Sequence, residues 1–120
     1  MMQFTMSGTM LRFDETTLRF SFSRDGATWS GCDGIEPQLT REDRSFSFAG
    51  AATVTHERIE TGTGGGVRSV FAGFAGADYA FETYIWIERS SGDVLCEWVP
   101  LRECGAEPRI DRVLWPAPLS

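Results

Sequence analysis

Phe81-Glu82-Thr83-Tyr84-Ile85-Trp86-Ile87-Glu88, then Arg89-Ser90-Ser91-Gly92-Asp93, then Val94-Leu95-Cys96-Glu97-Trp98-Val99-Pro100-Leu101: this stretch decides the fold. Successive side chains of a strand point to opposite faces, so alternation with period 2 reads as β-structure. Ser90 to Asp93 has turn composition, and the flanks become the two arms of a hairpin. With Arg89 opposite Val94, Ile87 meets Cys96 and Ile85 meets Trp98. That side is apolar and belongs to the core. The other side carries Glu82, Tyr84, Trp86 and Glu88 on one arm, and Leu95, Glu97 and Val99 on the next. A slip by one residue would exchange the two faces.

The same period runs through most of the chain. Leu11 and Phe13 alternate with polar neighbours, and Leu18, Phe20 and Phe22 repeat the pattern after a turn at residues 14–17. Asp25-Gly26 supplies a hairpin turn. Residues 30–44 hold Gly31, Gly34, Pro37 and a charged run, and read as a long loop with at most one helical turn. Phe46 and Phe48 restart the alternation, residues 53–61 form a strand rich in Thr, Val and Ile, and 67–74 form its partner. Residues 62–66, almost all glycine, read as a flexible turn between those two. Residues 110–115 make a last strand, stopped by Pro116 and Pro118. Seven or more short strands at this spacing, with little helix, predict an all-β, antiparallel β-sandwich.

The chain has 120 residues, the length of a single domain spanning 1–120, with 116–120 a linker-like tail. It is 42% hydrophobic and 23% charged, which excludes disorder and coiled coil. The net charge is -6 and every basic residue is Arg. An acidic domain repels phosphate backbones, so nucleic acid is not expected as a partner. There is no leader-like segment and no apolar run near the roughly 20 residues that span a bilayer, so the expectation is a cytoplasmic protein with no membrane partner. Cys32, Cys96 and Cys104 lack Cys-x-x-Cys spacing and read as reduced thiols, Cys96 as a small buried hydrophobe. His56, the one histidine, reads as a half-exposed strand residue. No metal site and no cofactor is expected.

Chemistry concentrates on the mixed face of the hairpin. Sugars stack their C–H faces on aromatic rings while carboxylates accept bonds from their hydroxyls. Glu82, Tyr84, Trp86, Glu88 and Glu97 offer both on one pleated surface, as candidates for binding carbohydrate or a protein partner. The plainer reading is that the aromatics pack under a second layer or another domain. Glycosidases set two carboxyl groups about 5–10 Å apart across a cleft. A flat face in so short a chain rarely makes one, so no catalytic residue is assigned. The glycine run lacks the Gly-Lys-Ser/Thr ending of a phosphate loop, and Val67-Arg68-Ser69-Val70 after it is strand-like.

Two resemblances accompany this reading. Ser23-Arg24-Asp25-Gly26-Ala27-Thr28-Trp29 resembles the strand-turn motif of discoidin-like carbohydrate-binding domains, and is one residue shorter than the Asp-box of sialidase propellers. In both families the motif is mainly a folding device. The hairpin from Phe81 to Leu101, with the tail Ile110-Asp111-Arg112-Val113-Leu114-Trp115-Pro116-Ala117-Pro118, resembles the N-terminal β-sandwich of family 31 glycoside hydrolases, the α-glucosidase and α-xylosidase group. It implies a non-catalytic accessory domain beside a (β/α)₈ barrel that carries the catalytic carboxylates. Such a barrel needs about 200 residues or more, and this chain has no room for one. The expected partners are therefore a catalytic domain and carbohydrate. The alternative is a stand-alone protein that self-associates, or binds another protein, through the Tyr84/Trp86 face. A small self-contained hydrolase is the least favoured reading.

Overall fold

A computed structural model describes residues 1–32, 38–41, 44–47, 50–74, 80–102 and 112–114, with side chains for 1–31, 50–74 and 80–99. Among the described residues there are eleven strands and no α-helix, so no helix there is long and apolar enough to cross a membrane. The first sheet is a meander of β1 (Met2–Met6), β2 (Thr9–Phe13), β3 (Phe20–Ser23) and β4 (Ser30–Cys32), in the order β1-β2-β3-β4. A small sheet follows from β5 (Gln38–Arg41), β6 (Arg44–Ser47) and the late β11 (Arg112–Leu114), in the order β11-β5-β6. The largest sheet comes from β7 (Thr53–Glu60), β8 (Gly64–Ala72), β9 (Ala80–Glu88) and β10 (Val94–Arg102), in the order β10-β9-β8-β7. Every pairing is antiparallel.

The two four-stranded sheets bury one core between them, which confirms the sandwich. Leu11, Phe13 and Phe20 from the first meet Val67, Phe71, Phe81, Ile85 and Ile87 from the second. The polar clamp at one end follows from two tight turns. Ser7 and Gly8 both have positive φ, 52° and 80°, as a type I′ turn requires. This brings Ser7 Oγ to donate to the Arg89 carbonyl at 2.5 Å and Thr9 Oγ1 to that of Gly92 at 2.5 Å.

Several expectations need correction. Residues 2–6, which the sequence reading gave no element, form β1: Met2, Phe4 and Met6 alternate inward and pack on the core. The stretch 30–44 contains β4 and β5 and the start of β6 rather than one long loop. Leu18 sits in the β2–β3 turn with φ of 64°, yet it is buried; β3 begins at Phe20. Gly64, Gly65 and Gly66 belong to β8 and are buried, and the turn shrinks to Thr61-Gly62-Thr63, closed by Thr61 N–H to the Gly64 carbonyl. Of the last strand, Arg112–Leu114 is observed; Ile110, Trp115 and the tail at 116–120 lie outside the described residues, as do Phe48 and the Cys32 and Cys104 side chains.

The central hairpin keeps its faces but shifts its register. Ile87 pairs with Val94, Ile85 with Cys96, Thr83 with Trp98 and Tyr84 with Glu97. The expected pairing of Arg89 with Val94 fails because Arg89 leaves the ladder: its N–H donates to the Thr63 carbonyl. The connection closes instead through Gly92 N–H to Glu88 and Glu88 N–H to Asp93, with Gly92 at φ 75°. A shift by two residues moves partners without exchanging faces, so Ile85 and Ile87 remain in the core. Cys96 is a thiol, half-buried against that core rather than fully enclosed.

His56 is a half-buried strand residue, as its pattern suggested. Its Nδ1 lies 2.6 Å from Ser69 Oγ, and its ring meets the edge of Phe13 at 5.2 Å. Burial holds its pKa below the usual 6.5, against an opposing pull from Glu15. The unfolded chain therefore takes up this proton first as pH falls. Stability is full above about pH 6.5 and declines as pH drops below it. Denaturant midpoints measured from pH 8 to pH 2 should show this loss, and His56→Gln should remove it. A second loss belongs to Asp25, whose pKa is lowered from 3.8 to about 2. Its stabilisation is present above pH 4 and disappears toward pH 2.

Candidate functional site

The candidate face is the outer surface of the largest sheet. Tyr84 and Trp86 lie two residues apart on β9, both half-buried, with Glu82 before them and Glu88 after. Cross-strand register then sets three rows. Val70, Glu82 and Val99 share one; Glu57, Arg68, Tyr84 and Glu97 the next; Ile59, Gly66, Trp86 and Leu95 the third. The structure thus brings Glu82, Tyr84, Trp86 and Glu97 together, and leaves Glu88 at the turn end.

Arg68 organises this surface, and the sequence reading missed it. Its Nε donates to Glu82 Oε2 at 2.6 Å, and its Nη2 reaches the same oxygen at 2.5 Å. Nη1 donates to Glu57 at 2.9 Å. A hydrogen bond to Tyr84, with those to Glu57 and Glu82, pushes the guanidinium pKa up. Glu82, only 12% exposed, has its charge balanced by this guanidinium. Removing Arg68 would leave that carboxylate enclosed without an opposite charge. Because Arg68 itself is 31% exposed, the expected cost of Arg68→Met lies between the surface and buried extremes, at about 1–3 kcal/mol. Glu82→Gln in the same chain should recover much of it in urea denaturation.

The other carboxylates have different roles. Glu88 accepts from Ser90 Oγ at 3.0 Å and Ser91 Oγ at 2.8 Å, so it braces its own turn. Glu97 stands exposed beside Tyr84. These groups lie along one face of a single sheet rather than on opposing walls. Trp86 lies over glycines: a Cβ on Gly64 would sit 2.7 Å from its Cε3. The indole N–H groups of Trp86 and Trp98 are both enclosed and meet no acceptor among the described residues.

Concavities among the described residues lie elsewhere. One, of about 260 Å³, opens between β1 and β7 and is lined by Gln3, Phe4, Met6, Arg58, Ile59 and Glu60 among others. Another, of about 290 Å³, sits among the turns at Gly62, Thr63, Glu88 and Arg89. Among the described residues no cluster of His, Cys, Asp and Glu could ligate a metal.

The Ser23-to-Trp29 motif is a turn lock. Asp25 Oδ1 accepts from the N–H groups of Ala27 and Thr28 at 2.8 and 2.7 Å, while Ser23 Oγ accepts from Gly26 N–H at 2.8 Å. Gly26 takes φ 77°, which a side chain would strain. The Trp29 ring lies under the Arg12 guanidinium at 4.0 Å.

Among the described residues, the chain is an antiparallel sandwich whose largest sheet carries aromatic and charged side chains on its outer face. Comparison with solved structures is more particular. The whole chain matches part of an α-N-acetylgalactosaminidase from Bifidobacterium bifidum, solved as a Gal-NHAc-DNJ complex, at 94% identity and a TM-score of 0.92, covering 19% of that chain. The GalNAc complex of that enzyme matches 98% of this chain at 90% identity and TM-score 0.88, over 18% of its own length. Its ligand-free form matches at 87% identity and TM-score 0.86, over 100% and 19%. The chain therefore spans about a fifth of the length of the enzyme it matches. No protein-family model matches it, and no curated protein does.

Proposed function

We propose that this chain is a non-catalytic scaffold domain of a larger α-N-acetylgalactosaminidase. The observation that carries the proposal is full-length correspondence at 94% identity with 19% of such an enzyme. The site geometry agrees, since the carboxylates on the candidate face are neutralised, braced in a turn, or exposed on an open sheet. Catalytic carboxylates then belong to the remaining part of the enzyme, and the partner of this domain is that part. Contact with carbohydrate is a second reading, supported by Tyr84 lying directly opposite the exposed Glu97.

The substrate class is open to direct test. The longer protein is assayed with aryl α-glycosides of N-acetylgalactosamine, galactose, glucose and xylose. Hydrolysis of the α-N-acetylgalactosaminide above the others supports the proposal. Preference for the α-glucoside or α-xyloside would favour the family 31 resemblance of the hairpin and overturn the assignment made here.

A further inference from the structure

The edges of the largest sheet are treated unequally. An open strand edge offers unpaired N–H and C=O groups to any passing strand, and proteins guard such edges with prolines, bulges or brevity. The β10 edge has two of these guards, Pro100 and a register shift between Pro100 and Arg102. In the other four-stranded sheet, β1 has five residues and β4 three. The β7 edge has none: it runs eight residues, Thr53–Glu60, with no proline, and its register against β8 is continuous. Its charged side chains are engaged within the domain. Glu57 pairs with Arg68, Glu60 with Arg89, and Arg58 stacks on Phe4 at 4.4 Å while donating to the Gln3 carbonyl at 2.9 Å.

Which groups face outward follows from the ladder. Thr61 N–H bonds the Gly64 carbonyl. Hydrogen-bonded pairs recur every second residue in an antiparallel ladder, so Ile59, Glu57 and Thr55 point their backbone groups at β8. Glu60, Arg58, His56 and Val54 point theirs outward. Among the described residues no strand meets them. Beside this edge lies the 260 Å³ groove against β1, with room for large side chains from an added strand.

We propose that the outer edge of β7 is completed by an extended segment of the same, longer polypeptide, outside residues 1–120, which adds a strand to the sheet and covers the groove. This rests on the reading of the chain as part of a larger glycosidase, in which the matched enzyme is about five times as long. A second copy suits the edge less well. Two-fold pairing through this edge centres on one residue that meets itself, and at mid-strand that is the outward-facing His56 or Arg58, or Glu57 between them, on a chain of net charge -6.

The test is hydrogen–deuterium exchange on the longer protein, resolved to single amides, with activity toward an aryl α-N-acetylgalactosaminide measured on the same sample. The outward amides of His56, Arg58 and Glu60 are expected to exchange more slowly than free chain by on the order of 100-fold, matching the inward amides of Thr55, Glu57 and Ile59. That protection should not change on dilution. Fast exchange at the three outward amides beside protected inward ones overturns the proposal, whatever the activity. Protection that disappears on dilution overturns it in favour of a second copy. Concentration-independent protection in an inactive protein supports the added strand and removes the glycosidase reading instead.

Discussion

Phe81→Ala is expected to destabilise the domain by about 3–5 kcal/mol, the usual cost of truncating a fully enclosed aromatic residue. Phe81 has 0% exposure. Its ring centroid lies 5.7 Å from that of Phe74 and 5.3 Å from that of Trp98. Deletion therefore removes the ring's burial and its contacts with Phe74 and Trp98, and leaves a cavity that paired strands on both sides cannot collapse. Tyr84, three residues on and on the opposite face, is half-buried and should cost less than half as much when cut to Ala. Urea denaturation of both variants decides the matter. Equal losses would mean that the outer face is as enclosed as the core, and the candidate site would no longer be a surface.

Gly66→Ala should be comparably severe for a different reason. Gly66 faces Trp86 across the β8–β9 ladder. An added Cβ would overlap the Ile85 carbonyl oxygen and lie 2.5 Å from Trp86 Cα and 2.7 Å from its Cβ. The first two obstacles are backbone, which rotamer changes cannot move, so the strands must separate. A loss of about 3 kcal/mol or more follows. Gly62, four residues earlier in the turn, has open space around it. Gly62→Ala should stay within about 0.5 kcal/mol of the parent. Similar small effects at both positions would mean that the glycines of β8 do not hold Trp86 in place.

The contrast between these glycines also explains what the sequence concealed. A glycine run carries no hydrophobic period, and its default meaning is a turn. Its place in a strand depends on Trp86, twenty residues later, lying across it. The same limit applies to Arg68. A lone charge in Val67-Arg68-Ser69-Val70 reads as solvated, but its carboxylate partners come from β7 and β9, which only the register brings alongside. The strands of three or four residues, β4 and β5, are too short to display a period. By contrast, Met2, Phe4 and Met6 do alternate with the period of a strand, a signal open to reading in the sequence.

What could be read early was the two-faced hairpin. Its core face needed only Ile85 and Ile87 on one arm and Trp98 on the other. Its register escaped because Arg89 pairs outside the hairpin, with Thr63 and Glu60. The Asp25 turn was legible for the opposite reason: its hydrogen bonds lie within the six residues Ser23 to Thr28, so local sequence contains the motif. The likeness to a glycosidase was likewise carried by local residues, Phe81 to Leu101, and the matched enzyme agrees with it at that level.

The proposed function divides labour sharply: this chain supplies framework, and the rest of a longer enzyme supplies chemistry. One assay addresses that division. Purified chain 1–120 and the longer protein are given the same aryl α-N-acetylgalactosaminide under saturating conditions. The expected result is turnover by the longer protein and a rate indistinguishable from buffer for the chain by itself. Turnover by the isolated chain, lost on changing Glu97 to Gln, would place catalysis on the outer sheet face and contradict the scaffold reading outright.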